Sequence, residues 1–134
     1  MKNLSSKLGE MEFDGLITDT NPALIVRGGT IRKLGTAGTL KRGTILAKSS
    51  GSAGDGKLVV LGNTAASNET LTADCILCDD VEVGTSADVT VPVYFAGCFD
   101  PDKCIVKDSY TITEADKDAL RQRGIVFKAA SDAN

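Results

Sequence analysis

The chain has 134 residues, 42% of them hydrophobic and 25% charged, with a formal net charge of −3. That size suits a single domain that buries a core without metal or disulfide staples. The acidic balance argues against a surface that tracks nucleic-acid phosphates, and no run of about 18 apolar residues marks a transmembrane helix.

Glycine is frequent at 14 residues, while aromatics make up 4% with no Trp, which points to a small, turn-rich β protein. Residues 1–15 show neither helical nor strand periodicity and read as an extended N-terminal arm, with the folded domain over 16–134. Met1 to Glu12 lacks an apolar centre and a small-residue cleavage site, so no secretory signal is expected and synthesis in the cytoplasm is. Leu8, Met11 and Phe13 could anchor the arm to a neighbour, ordering it on contact.

Leu16-Ile17 precede a turn over Thr18 to Pro22. Ala23 to Arg27 predicts a strand, Gly28-Gly29 a tight hairpin turn, and Thr30 to Leu34 the return strand. A loop over Gly35 to Gly38 follows. The stretch Lys41 to Lys48, the Gly/Ser-rich run Ser49 to Gly56 and Lys57 to Leu61 together read as two strands joined by a loop. Gly62 to Thr72 is polar, Cys75 to Cys78 a short buried strand, and Val81 to Val83 a short segment before a turn. Val89 to Ala96, extended through Phe99, is the longest predicted strand. Pro92 within it cannot donate to a ladder, which predicts a free edge or a bulge there.

One helix is predicted over 114–123. Thr113 and Asp116 form a variant capping box, acidic residues occupy the first turn, Arg121 and Arg123 the last, and Gly124 the position beyond. Ile125 to Phe127 predicts a last strand or anchoring segment.

Candidate chemistry is sparse. The chain has no histidine, which removes the Ser-His-Asp and Cys-His solutions to hydrolysis. Gly51 to Lys57 matches the start of a phosphate-binding loop, but Leu58 stands where a Ser or Thr is needed, and a strand follows instead of a helix. Cys75, Cys78, Cys98 and Cys104 read as buried apolar thiols, with a four-thiolate zinc set and a disulfide as the alternatives. On a strand, residues three apart point to opposite faces, which works against the zinc set. Asp79, Asp80 and Glu82 could hold a hard cation, but fit a solvated strand end better. Arg32-Lys33 with Lys41-Arg42 read as a solvated hairpin face.

Five segments occur in an order that carries a resemblance. They are Gly43-Thr44-Ile45-Leu46, then Lys57-Leu58 after a variable loop, Ile76 to Val81, Val91 to Gly97, and Leu120 to Val126. Together they resemble the lambda-type bacteriophage head decoration family, a capsid-stabilising family. The resemblance implies a mainly β, compact barrel- or sandwich-like domain of the β-tulip type, with one short C-terminal helix and the extended arm. It implies a homotrimer on the outside of an expanded tailed-phage head, made in the host cytoplasm, that stabilises the shell against internal DNA pressure. It implies the major capsid protein as partner, reached by the arm through strand addition, with Leu4, Leu8, Met11, Phe13, Leu16 and Ile17 as the capsid contact. It implies no cofactor, no metal, no catalysis, no nucleic acid and no membrane. A virion-surface adhesin, or a tail or adaptor binding module, is the alternative.

Overall fold

The computed structural model describes residues 15–128. Nine strands are formed there: β1 (Ile17–Asp19), β2 (Ile25–Ile31), β3 (Gly38–Leu40), β4 (Ile45–Ser50), β5 (Leu58–Val60), β6 (Thr70–Leu77), β7 (Val81–Val83), β8 (Val89–Phe99) and β9 (Ile125–Phe127). One α-helix, α1 (Glu114–Arg123), precedes β9, and a short 3₁₀ turn (Pro101–Lys103) follows β8.

The 11-residue strand β8 organises the sheet. Its first part pairs antiparallel with β2, from Ile31↔Val89 to Ile25↔Ala96, and on another side with β6 at Ile76↔Tyr94 and Leu77↔Val93. β6 pairs with β4, and β4 with β5. β5 returns to β2 in parallel at Ile31↔Leu58, where the Arg32 amide donates to the Leu58 carbonyl at 2.9 Å. The five strands therefore close into a barrel. The end of β8 takes two further partners, β1 antiparallel and β9 parallel.

Alternation along these strands separates two apolar cores. Ile31, Leu46, Leu58, Cys75, Leu77 and Val93 come one or two from each barrel strand and fill the interior. β3 and β7, paired with each other, add Leu40, Val81 and Val83 to that cluster. The intervening residues Ile45, Ala47, Val59, Ala73, Ile76 and Tyr94 point outward and are buried under Leu120 of α1, Ile125 of β9 and Leu16. Strands covered on both faces read as unbroken apolar runs, not as alternation, which is why Cys75 to Leu77 looked like a short buried strand.

The helix forms over the predicted residues. Thr113 Oγ1 accepts from the Asp116 amide at 3.1 Å, and the Asp116 carboxylate accepts from the Thr113 amide at 3.0 Å. Gly124 closes the helix at φ 102°. Leu120 is the only buried residue of α1. A 2.9 Å ion pair from Arg123 to the buried Asp74 of β6 holds its far end.

Four expectations are corrected or narrowed. Gly28-Gly29 is not a hairpin turn: neither glycine has the positive φ such a turn needs, and both lie in β2, opposite Pro92 and Val91. A Cβ on Gly29 would sit 2.7 Å from Leu58 Cδ1, so glycine here lets β2 approach the barrel interior where the circuit closes. The polar stretch before Cys75 contributes Thr70 to Asp74 to β6, where Thr70 and Thr72 are exposed while Ala73 and Asp74 are buried. The loop over Gly35 to Gly38 ends in β3, whose partner β7 is distant in sequence. Pro92 occupies a regular place opposite Gly28, with no bulge there. Pairing with β6 stops at Val93, next to it, and its carbonyl accepts from the Cys78 amide.

Candidate interaction surface

The two ends of the described chain meet at one end of the domain. Ile17 lies opposite Phe99 on β8, and Phe127 lies beside the same Phe99 from β9. Leu16 is 2% exposed and belongs to the outer core, while its carbonyl accepts from the Asp100 amide at 2.8 Å. Gly43, at φ 94°, brings its backbone against Leu16 and the Lys103 carbonyl, a place where a Cβ would stand 2.8 Å from that oxygen. The Lys128 amide donates to the Phe99 carbonyl at 2.8 Å, and its ammonium pairs with Asp19 at 3.4 Å. The Thr20 amide first, then Lys128 and the Asn21 amide, hold the Asp19 carboxyl below its usual range. The chain thus enters and leaves the fold through a clamped root.

Of the residues expected to contact a capsid, Leu4, Leu8, Met11 and Phe13 lie outside the described residues. Ile17 is half-buried against the outer core. Leu16 is placed in the core itself, so its side chain supports the domain and offers no surface. The sequence reading places Leu16 at the start of the folded domain yet keeps it in the contact set, because the pair Leu16-Ile17 is too short a pattern to show which way each side chain faces.

Of the basic residues, Lys33 and Lys41 are exposed as a solvated face would be, while Arg32 and Arg42 are half-buried and engaged. The Arg42 guanidinium donates through Nη1 to the Cys78 carbonyl (2.8 Å) and the Tyr94 hydroxyl (2.6 Å), and lies 5.5 Å from the Tyr94 ring centroid. Tyr94 is fully buried. An Arg42→Met variant would take the guanidinium donor away from the buried Tyr94 hydroxyl and the Cys78 carbonyl, and is expected to lose about 2–4 kcal/mol of unfolding free energy in urea titrations.

Arg32 ties two loops together. It reaches Asp55 in the β4–β5 loop at 2.9 Å and Glu69 before β6 at 2.6 Å, and Glu69 also accepts from Ser49 Oγ at 2.5 Å. Arg32 holds the Asp55 carboxyl down to about 2. The Ala66 amide, Ser49 and Arg32, in that order, hold Glu69 near 2. Because both folded values lie below the unfolded ones, this stabilisation is complete above the ordinary carboxylate range and is lost as pH falls from about 4 toward 2. An Arg32→Met variant should therefore begin to unfold at a higher pH than the native chain in acid titrations followed by circular dichroism.

The remaining candidates resolve into structural roles. Gly51 to Lys57 is the hairpin loop, and Lys57, just before β5, has its ammonium 2.5 Å from Asp88. Asp80 accepts from the Arg42 amide at 2.8 Å, and Asp100 from the Asp102 amide at 2.9 Å. Cys75 belongs to the inner core and Cys78 to the outer one, so the pair does not converge. Cys98 is buried and Cys104 half-buried. Burial pushes the thiols of Cys78 and Cys104 up to about 12, which keeps them protonated and poorly nucleophilic at neutral pH. Among the described residues, no three Cys, Asp or Glu side chains gather as a metal set, and no helix is long and apolar enough to cross a membrane. An apolar hollow of about 260 Å³ lies beside the root, lined by Pro101, Cys104, Val106, Ile112 and Phe127 among others.

Surface features that the sequence hid lie on β2. Ile25 and Val26 are 43% and 49% exposed, and the Arg27 guanidinium sits 5.8 Å from the Phe95 ring centroid.

No curated protein matches the chain. The family model described as bacteriophage lambda head decoration protein D matches residues 9–126, all but the first eight and last eight residues. That match spans the barrel, the helix and the N-terminal side of the clamped root, and the chain belongs to the bacteriophage lambda head decoration protein D family.

Proposed function

We propose that this protein binds the outside of an expanded tailed-phage head as a homotrimer and stabilises the shell against the pressure of packaged DNA. The partner is the major capsid protein, reached by residues 1–15, with Leu4, Leu8, Met11, Phe13 and the half-buried Ile17 as contact residues. The protein is made in the host cytoplasm, works without cofactor and turns over no substrate.

The observation that carries this reading is the common exit of both chain ends, at Ile17 and Phe127 beside Phe99. An arm leaving a clamped root can bind a partner while the barrel stays unchanged, and several arms acting together gain avidity. Expansion of a shell would expose the strand edge that the arm joins. The adhesin alternative has less support: the Ser49 to Gly56 and Asn63 to Thr72 loops contain no aromatic residue to stack on a sugar.

The test is co-sedimentation with expanded, undecorated shells of the source phage beside unexpanded ones. Saturable pelleting with expanded shells alone, near one copy per capsid subunit, is expected. Pelleting with neither shell would overturn the proposal in favour of an adhesin or adaptor.

A further inference from the structure

We infer that Asp55 is a backbone isomerisation site of this domain: Arg32 and Ser49 hold the Asp55-Gly56 pair unreactive, and it converts to isoaspartate when the Arg32 fork is lost. The inference does not depend on the decoration reading, and it is tested on the chain alone.

The sequence supplies the reactive pair. Glycine puts no side chain in the way of its own nitrogen, so an aspartate before it is open to attack on its side-chain carbonyl carbon. Of the two Asp-Gly pairs in the chain, Asp14-Gly15 and Asp55-Gly56, only the second lies wholly within the described residues. In the reaction, the Gly56 nitrogen bonds to Asp55 Cγ. The bond from Cγ to its hydroxyl breaks, and that hydroxyl leaves with the amide proton as one water. A five-membered imide remains, and one water opens it at either carbonyl. Opening at the former main-chain carbonyl leaves the chain running through the Asp55 side chain, which is isoaspartate. No oxidant, reductant or co-reactant besides water takes part.

The fold opposes each half of the first step. The carboxyl half needs a protonated oxygen that can depart as water. Asp55 instead accepts through Oδ2 from Arg32 Nε at 3.0 Å, and through Oδ1 from Arg32 Nη2 at 2.9 Å and from the Lys57 amide at 3.0 Å. Ring closure removes one of these oxygens, so the two-pronged contact has to be given up. Arg32, more than any other group, lowers the Asp55 carboxyl to about 2, which depletes the acid form at neutral pH. The nitrogen half needs the Gly56 amide to surrender its proton. That amide donates to the Ser49 carbonyl at 3.1 Å, and the Asp55 amide donates to Ser49 Oγ at 3.3 Å.

Crowding adds no protection. A Cβ built on Gly56 meets nothing within 4 Å, so there is room at this glycine, and the polar contacts carry the restraint. The guard also comes from outside the loop it guards. Arg32 directly follows β2, its amide is bonded to the Leu58 carbonyl, and its guanidinium is held from the far side by Glu69 at 2.6 Å. Movement of the loop alone therefore does not carry the guanidinium along with Asp55. Isomerisation would be self-sustaining: the product carries its carboxylate directly on Cα and one more methylene in the main chain, so the fork cannot re-form in its present geometry.

The experiment follows isoaspartate at residue 55 over weeks at neutral pH and physiological temperature, by digestion and mass spectrometry with enzymatic methylation of isoaspartyl carboxylates. The folded native chain is expected to react about tenfold more slowly than the same chain unfolded in urea, the scale of the depleted acid form discounted for the exposure of Asp55. Arg32→Gln, shown folded by circular dichroism, is expected to react about fivefold faster than the native chain. Arg32→Lys, which keeps a cation but not the fork, is expected to fall between them, and it decides the matter should Arg32→Gln not fold. Lys57→Met removes the nearby ion pair to Asp88 while leaving Arg32, Asp55 and Gly56 in place, and is expected to match the native rate. Equal rates in the folded and unfolded native chain, a folded Arg32 variant no faster than the native chain, or a Lys57→Met chain as fast as the Arg32 variants would each overturn the inference.

Discussion

Removal of residues 1–14 is expected to abolish pelleting with expanded shells while leaving the barrel folded. The root stays in place without them. Gly15 to Asp19 keeps the Leu16 side chain in the outer core, the Leu16 carbonyl on the Asp100 amide and the pairing of β1 with β8. The clamp on the C-terminal side, from Lys128 to Phe99 and Asp19, is also retained. The thermal midpoint should therefore move by only a few degrees, about the effect of 1 kcal/mol in a domain of this size. Loss of shell binding, by contrast, should exceed any assay range, because a trimer that loses three arms loses their avidity together. A truncated chain that pellets like the native one would reject the arm as the contact. A midpoint lowered by more than about 10 °C would show instead that the arm is part of the fold.

Leu16→Ala is expected to do the reverse. The side chain is 2% exposed and packed in the same cluster as Phe99, Ile125 and Leu120. Truncation removes its burial and leaves a cavity beside Gly43, whose backbone cannot close in because the Lys103 carbonyl already abuts it. Losses of about 2–5 kcal/mol are usual for such sites. The midpoint should fall by roughly 10 °C, while shell binding at low temperature, with the arm intact, should be preserved. Nearby positions in the chain would thus separate cleanly, Phe13 on the side of binding and Leu16 on the side of stability. If Leu16→Ala abolished binding without lowering the midpoint, Leu16 would have to be reassigned from the core to the interface.

The elements that the sequence alone could locate are those whose signals are local. The helix is legible because Thr113, Asp116 and Gly124 solve the orphan amides and carbonyls of its own ends. The β4–β5 hairpin is legible because a Gly/Ser-rich loop separates two branched runs, and β8 because branched and aromatic residues recur from Val89 to Phe99. Arg42, Leu16 and the β2 edge are illegible for the opposite reason. The guanidinium of Arg42 meets Tyr94 from 52 residues away. Whether Gly28-Gly29 turns or runs straight depends on Leu58 of β5 and on the whole length of β8, not on the dipeptide. The five ordered segments identified the family without any structure, because family likeness lies in residue order.

By itself, then, the sequence determined a small mainly β domain with one capped helix, no histidine for catalysis, and membership of a head decoration family. Tertiary structure decided the rest. Closure of β2, β5, β4, β6 and β8 into a ring put alternate residues of the same strands into two separate cores, so burial ceased to follow sequence pattern. The same closure left β2 paired along its length on one side and, among the described residues, at Ile31 alone on the other, a distinction that no run of residues encodes, because it depends on where the other strands end.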